Sequence, residues 1–217
     1  MATRTAGAGG TERGRRRRRS APEARRAILL AAEKRLVGGG PEAVRVQVVA
    51  ADVGVTDAAV HHHFGSREGL LAALLRFSGR RLRDEIEEIL RDAAGDPDGI
   101  RRGAERIATT YAERGTARLA LWLSLSGWKA RGAGMFAPLV EAVHAARVRR
   151  AREIGAAPPR RKASQQAVAL LNLALCAEPL LGGPFLRSVE LPDDAATRAR
   201  FRTFIVDALS RLLGGEP

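Results

Sequence analysis

From Ser20 onward, large apolar residues recur three and four positions apart, and no stretch shows the period-two alternation that a half-buried strand requires. That periodicity confines the chain to all-α architectures, and its punctuation shows where helices begin and end. Ser20, Ala21, Pro22 and Glu23 form a capping box, in which the serine hydroxyl accepts from the third backbone N–H and the glutamate reaches back. Ile28, Leu29, Ala32, Leu36 and Val37 continue one face until Gly38, Gly39, Gly40 and Pro41 end it. A short apolar stretch from Val46, with Val48, Val49, Ala50 and Val53, stops at Gly54, and Thr56 is placed to cap a second short helix. Leu70, Leu71, Leu74, Leu75, Leu82, Ile86, Ile89 and Leu90 mark a long helix capped by Ser66 and ending near Gly95, Asp96 and Pro97. Helical patterns follow over residues 100–114, 116–129, 135–154, 163–181 and 193–213, with connecting loops expected at 155–159 and 182–192.

Composition narrows the partners. With 217 residues, 45% hydrophobic and 28% charged, the chain has the make-up of a soluble globular protein able to bury a core. The net charge of +13 favours polyanions, either nucleic acid or an acidic membrane surface. Of that charge, +7 lies in the first 26 residues, where nine arginines face only Glu12 and Glu23. Residues 1–19 are mostly Gly, Thr and Arg, too poor in apolar surface to offset the entropy of ordering, so a flexible basic arm is expected there. Cys176 is the sole cysteine, which excludes an intrachain disulfide and an all-cysteine metal site and fits a reducing cytoplasm. No uninterrupted apolar signal core follows the basic start. Residues 167–177 include Asn172 and are too short to span a bilayer, so a cytoplasmic protein with no membrane segment is expected. The catalytic and nucleotide-binding motifs G-x-S-x-G, H-E-x-x-H, the Walker loop and the dinucleotide fingerprint are absent, so neither an enzyme nor a cofactor is expected.

A short helix, a glycine turn and a capped second helix form the pattern of helix-turn-helix units that bind DNA. Val49, Ala50, Val53, Gly54, Val55, Thr56, then Val60, His61, His62, His63, Phe64, Gly65, Ser66, Arg67, Glu68, Gly69, Leu70 and Leu71 resemble the N-terminal domain of TetR-type transcriptional regulators. The resemblance covers about residues 20–75. It implies three domain-level segments: the arm at 1–19, a helix-turn-helix domain at 20–66, and a helical ligand-binding and dimerisation domain at 67–217, with about nine helices in all. Where the family often places Ser or Thr at the start of helix two and Tyr at the head of the aromatic and His cluster, this chain has Val44, Arg45 and His61.

The resemblance carries an expected function: a cytoplasmic, homodimeric repressor, released from a pseudo-palindromic double-stranded operator by an unidentified small molecule. A regulator of the same fold that activates, or that answers to no ligand, stays open, and an enzyme is the remote alternative. The expected DNA contacts are Arg45, Gln47, Thr56, Asp57, Ala58, Ala59, His61, His62, His63 and Arg67, with Arg15, Arg16, Arg17, Arg18 and Arg19 of the arm on the backbone. Ala58 and Ala59 offer only apolar contact, such as to a thymine methyl. Asp57 reads equally as a helix-capping residue or as an acceptor for cytosine N4. Adjacent helical side chains stand about 100° apart, so His61, His62 and His63 are read as solvent- or phosphate-facing and no metal site is expected. Tyr111, Trp122, Trp128, Met135, Phe136 and His144 gather aromatic and polarizable surface and are the expected ligand-pocket residues. Leu170, Leu173, Phe201, Phe204, Ile205, Leu209 and Leu212 are the expected dimer face, because the resemblance implies a four-helix interface built from the last two helices of each subunit.

Overall fold

The computed structural model describes residues 20–93, 97–129 and 134–214, with the backbone alone at 97, 98, 209, 210 and 212–214. The expected arm, Arg15 to Arg19 included, lies outside the described residues. Among those described there are nine α-helices and no strand: α1 (Ala21–Gly39), α2 (Val46–Val53), α3 (Asp57–Phe64), α4 (Arg67–Asp92), α5 (Pro97–Glu113), α6 (Thr116–Leu125), α7 (Ala137–Glu153), α8 (Arg161–Ser188) and α9 (Ala195–Gly214). A single 3-10 turn, Pro41–Ala43, joins α1 to the segment before α2.

The local signals act as their chemistry requires. The Ser20 backbone N–H donates to Glu23 Oε2 at 2.8 Å, and the Ser20 hydroxyl accepts from the Glu23 N–H, closing the capping box of α1. Ser66 accepts from Gly69 N at 3.1 Å at the start of α4, and Asp194 Oδ1 accepts from Thr197 N at 2.7 Å at the start of α9. That bond holds the Asp194 carboxyl below the usual carboxylate range.

Two apolar cores result. The first joins α1, α2, α3 and the first turns of α4 through Ile28, Leu29, Leu36, Val49, Val60, Leu70, Leu71 and Leu74, and it also takes in Leu119 and Leu123 of α6. The second joins the outer part of α4 to α5, α7, α8 and α9 through Leu82, Ile86, Ile107, Leu139, Val168, Leu171, Leu175 and Val206. Helix α6 therefore follows α5 in sequence yet buries Leu119 and Leu123 with the N-terminal helices. The turn before it makes this approach possible: Gly115 has φ 67°, and a Cβ there would stand 3.2 Å from Leu36 Cγ.

Two helix bounds are corrected. Residues 182–188, expected in a loop, continue α8, which contains both Pro179 and Pro184. The glycines that looked like loop formers are close-packing positions. A Cβ on Gly183 would collide with the Arg198 guanidinium and the Asp193 carboxylate, which pair across from it. At 28 residues α8 is long and apolar enough to cross a membrane by length and composition alone, where its shorter predicted core was not, and only a third of its most apolar window is buried in the monomer. The expected helix over 116–129 stops at Leu125, and Trp128 N then donates back to Leu123 O at 3.0 Å.

Candidate nucleic-acid interface

The α2–α3 unit owes its angle to one backbone conformation. Gly54 occupies the left-handed region (φ 68°, ψ 43°), and the N–H groups of Gly54 and Val55 return to Ala51 O at 3.2 Å and Ala50 O at 3.0 Å. Three residues later α3 begins, with Thr56 Oγ1 accepting from Ala59 N at 3.2 Å. Val49, Ala50 and Val60 face the core, which leaves one side of α3 outward. Thr56, Ala58, His61 and His62 are exposed there, and Asp57, Ala59 and His63 are half-buried. Arg45 and Gln47, at the start of α2, are exposed. The three histidines occupy the last turn of α3. His61 Nδ1 lies 3.0 Å from Gly65 O, so the tautomer that donates there presents Nε2 outward. The His62 and His63 rings stand edge to face with centroids 5.6 Å apart.

The unit is braced on the side facing α1. Arg35 Nε donates to Asp52 Oδ2 at 2.7 Å, linking α1 to α2, and this bond lowers the Asp52 pKa. Arg25 lies over the Phe64 ring at 5.1 Å, linking α1 to α3.

Arg67, expected at a phosphate, has donors engaged within the protein. Its Nε donates to Val44 O at 2.9 Å and its Nη2 to Pro41 O at 2.6 Å, so two of its donors serve carbonyls of the 3-10 turn region. Its guanidinium also lies 5.2 Å from the centroid of the Trp122 ring. The Trp122 indole N–H in turn donates to Glu42 Oε1 at 3.0 Å. This Arg67–Trp122–Glu42 clamp ties α6 to the segment that leads into α2. Sequence reasoning missed it, since nothing in helical periodicity links residues 42, 67 and 122.

The six expected pocket residues do not form one site. Trp122 and Trp128 pack against the N-terminal core, and Trp128 lines an open depression with Arg76, Gly127 and Lys129. Tyr111 and Phe136 belong to the C-terminal core. There the Tyr111 hydroxyl reaches Asn172 Oδ1 at 3.4 Å, and burial, with Cys176 beside it, pushes the phenol pKa up. His144 Nδ1 meets Ser164 Oγ at 3.3 Å between α7 and α8, and Met135 is exposed with its sulfur beside Gly79. Of the expected dimer face, Leu170, Leu173 and Phe204 are exposed, whereas Phe201 packs partly against the C-terminal core and Ile205 is buried in it. The side chains of Leu209 and Leu212 lie outside the described residues.

Residues 28–74 match the family model of bacterial regulatory proteins, tetR family. Over these residues the chain is similar to the N-terminal domain of that family. The described residues have the fold of solved TetR-family regulators. A TetR-family transcriptional regulator from Pectobacterium atrosepticum is similar over 91% of this chain and 97% of its own, at 20% identity and a TM-score of 0.62. A protein whose structure is described as the molecular basis for control of antibiotic production by bacterial hormones is similar over 90% and 97%, at 24% identity and a TM-score of 0.59. A TetR-family regulator from Mesorhizobium loti follows, over 90% and 97%, at 14% identity and a TM-score of 0.58. No curated protein sequence matches the chain.

Proposed function

We propose that the chain is a homodimeric repressor that holds two operator half-sites through paired α3 helices and releases them when a small molecule occupies its C-terminal domain. The observation that carries this reading is the exposed outer face of α3, set by the Gly54 turn and flanked by Arg45 and Gln47. Ala58 and Ala59 contribute shape and methyl contact, His62 and His63 donate to phosphate or base edges, His61 offers its outward Nε2 as an acceptor to a base-edge N–H while its Nδ1–H stays on Gly65 O, and Arg45 supplies charge to the backbone. Asp57 is positioned on the first turn of α3, where either capping or base contact is compatible with its half-buried state.

The proposed dimer face is the side of α8 and α9 that carries Leu170, Leu173, Leu181, Phe185 and Phe204, all exposed in the monomer. An apolar surface of this kind is costly in water, and covering it with a second copy gives the two-fold pair of α3 helices that reading two half-sites one turn of B-DNA apart, about 34 Å, requires. The proposed effector site lies among α5, α7 and α8, where Tyr111, Asn172 and His144 offer polar groups amid an apolar core. AibR, a structural neighbour at 18% identity and a TM-score of 0.50, is described in complex with isovaleryl coenzyme A and operator DNA. Release follows only from an effector that prefers the dimer's unbound spacing.

The test is selection of bound duplexes from a random pool, using wild-type protein and the variants His62→Ala and Leu173→Glu. An inverted repeat recovered by wild type, lost with His62→Ala in a folded dimer and weakened with a monomeric Leu173→Glu protein, is the expected result. Failure to enrich any motif overturns the reading.

A further inference from the structure

The net charge of the chain is not spread over its surface. Residues 144–162 contain seven cationic residues (Arg147, Arg149, Arg150, Arg152, Arg160, Arg161 and Lys162) against the single acid Glu153, a local balance of +6. Together with the +7 of the first 26 residues this accounts for the entire +13, because the other 172 residues carry 21 basic and 21 acidic side chains. One cluster precedes the tetR-type domain. The other is the end of α7, the connection and the first turn of α8, and no DNA contact proposed above uses it.

Its position follows from the contacts of α7. The helix starts beside the middle of α4, with Met135 Sδ against Gly79 and Arg83 Nη1 donating to Gly134 O at 3.4 Å. One turn on, Leu139 stands near Gly103, which itself lies beside Ile86. Helix α7 thus runs outward, away from the Ser66 end of α4. His144 and Arg147 then meet Ser164, bringing the start of α8 to the same end. At 1.5 Å per residue, Ile86 alone is about 28 Å along α4 from Arg67, and the cluster lies beyond it. A duplex on α3 does not reach it.

The cluster is open to solvent. Arg149, Arg150, Arg152, Arg160, Arg161 and Lys162 are all exposed. Arg150 pairs with Glu153 and Arg161 with Glu141, whereas Arg152, Arg160 and Lys162 have no acidic partner among the described residues. Arg161 and Lys162 also sit on the first turn of α8, where the helix dipole disfavours cations and where no acid is present. Between the two runs stand Gly155, Ala156, Ala157, Pro158 and Pro159, and the only large apolar residue exposed there is Ile154. A protein partner needs apolar anchors at the centre of its interface, and single-stranded nucleic acid needs aromatic platforms. A duplex backbone needs only well-placed cations, preferably arginines.

We propose that this remote basic cap is a second, sequence-independent binding surface for the phosphate backbone of double-stranded DNA, so that a protein seated on one duplex engages another. The proposal rests on the DNA-binding reading above for its choice of polyanion, and the dimer carries two such caps.

The experiment uses the full chain. Protein is first saturated with an unlabelled duplex recovered by the selection above, and a labelled 30-base-pair duplex of unrelated sequence is then titrated in, read by anisotropy at several salt concentrations. The test variant combines Arg152→Ser, Arg160→Ser and Lys162→Ser; a control of equal charge change combines Arg80→Ser, Arg91→Ser and Arg211→Ser. We expect the wild type and the control to bind the second duplex, and the test variant to bind it at least tenfold more weakly. Each lost phosphate contact takes about 0.9 from the salt slope, so the slope falls by about 2 to 3. Affinity for the first duplex stays within twofold, which separates this result from failure of the α3 reading. No second-duplex binding by wild type, or equal loss in test variant and control, overturns the proposal. So does a test-variant defect confined to polyglutamate or to phosphatidylserine vesicles, which would assign the cap to an acidic protein or a membrane.

Discussion

Removing the Arg67 guanidinium should destabilise the N-terminal half whether or not DNA is present. Two charge-assisted hydrogen bonds, to Val44 O and Pro41 O, are lost in Arg67→Ala. Bonds of this kind contribute about 1.5–3 kcal/mol each, and with the side chain 26% exposed the lower figure applies, about 3 kcal/mol for the pair. Loss of the cation over the Trp122 ring adds about 0.5–1 kcal/mol. The contact to Glu42 at 3.6 Å adds nothing measurable, because that carboxylate is 75% exposed. The total of about 3–4 kcal/mol corresponds, for a chain of this size, to a Tm lower by about 10 °C. Arg67→Lys keeps the charge but not the fork, and should lose about half as much. Thermal and guanidinium unfolding without DNA, followed by circular dichroism and by tryptophan emission, measure both. An Arg67→Ala protein whose Tm matches wild type, yet which no longer binds duplex, would refute the reasoning and return Arg67 to a phosphate.

Two further outcomes are expected. Glu178 is fully buried and paired with Arg202 at 3.2 Å, so Arg202→Met strands a buried carboxylate and should cost about 3 kcal/mol in denaturant titration at fixed protein concentration; an unchanged midpoint would show that the pair is dispensable. The pKa values of Asp52, Asp193 and Asp194 are lowered, respectively by hydrogen bonds from Arg35, from Arg198 and from the Thr197 backbone, so their stabilisation is complete above the ordinary value of 3.8 and is lost as pH falls through their lower folded values. The stability gap between wild type and the combined Asp52→Asn, Asp193→Asn, Asp194→Asn variant should therefore narrow from pH 5 to pH 2, and a gap independent of pH would contradict the assignment.

What the sequence disclosed was local. The capping box at Ser20, the glycine stop before α2, the Thr56 cap and the long face of α4 are set by residues within a few positions of one another, and each appears as its chemistry demands. What it withheld was remote. Trp122 donates to a residue 80 positions away, and apolar spacing states only that a face is buried, never in which of two cores. Gly183 illustrates the same limit from the other side: beside Gly182 and Pro184 it reads as a loop, but its lack of a Cβ serves the Arg198–Asp193 pair packed against a continuing helix. Ile205 shares the spacing of the exposed Phe204 neighbourhood on α9 yet turns inward, because its side of the helix meets the C-terminal core.

Helix α6 has a practical consequence for recombining regulators of this architecture. Leu119 and Leu123 are fully buried among the N-terminal helices, and each contributes roughly 1.5–3 kcal/mol of burial to a core assembled mainly from residues 28–74. A chimera that grafts that segment onto a foreign effector body would leave a leucine-sized hole at two places and expose the tryptophan side of the seam. Chimeras that carry residues 115–128 along with the graft would keep the joint intact, so the unit of exchange is discontinuous in sequence although continuous in space.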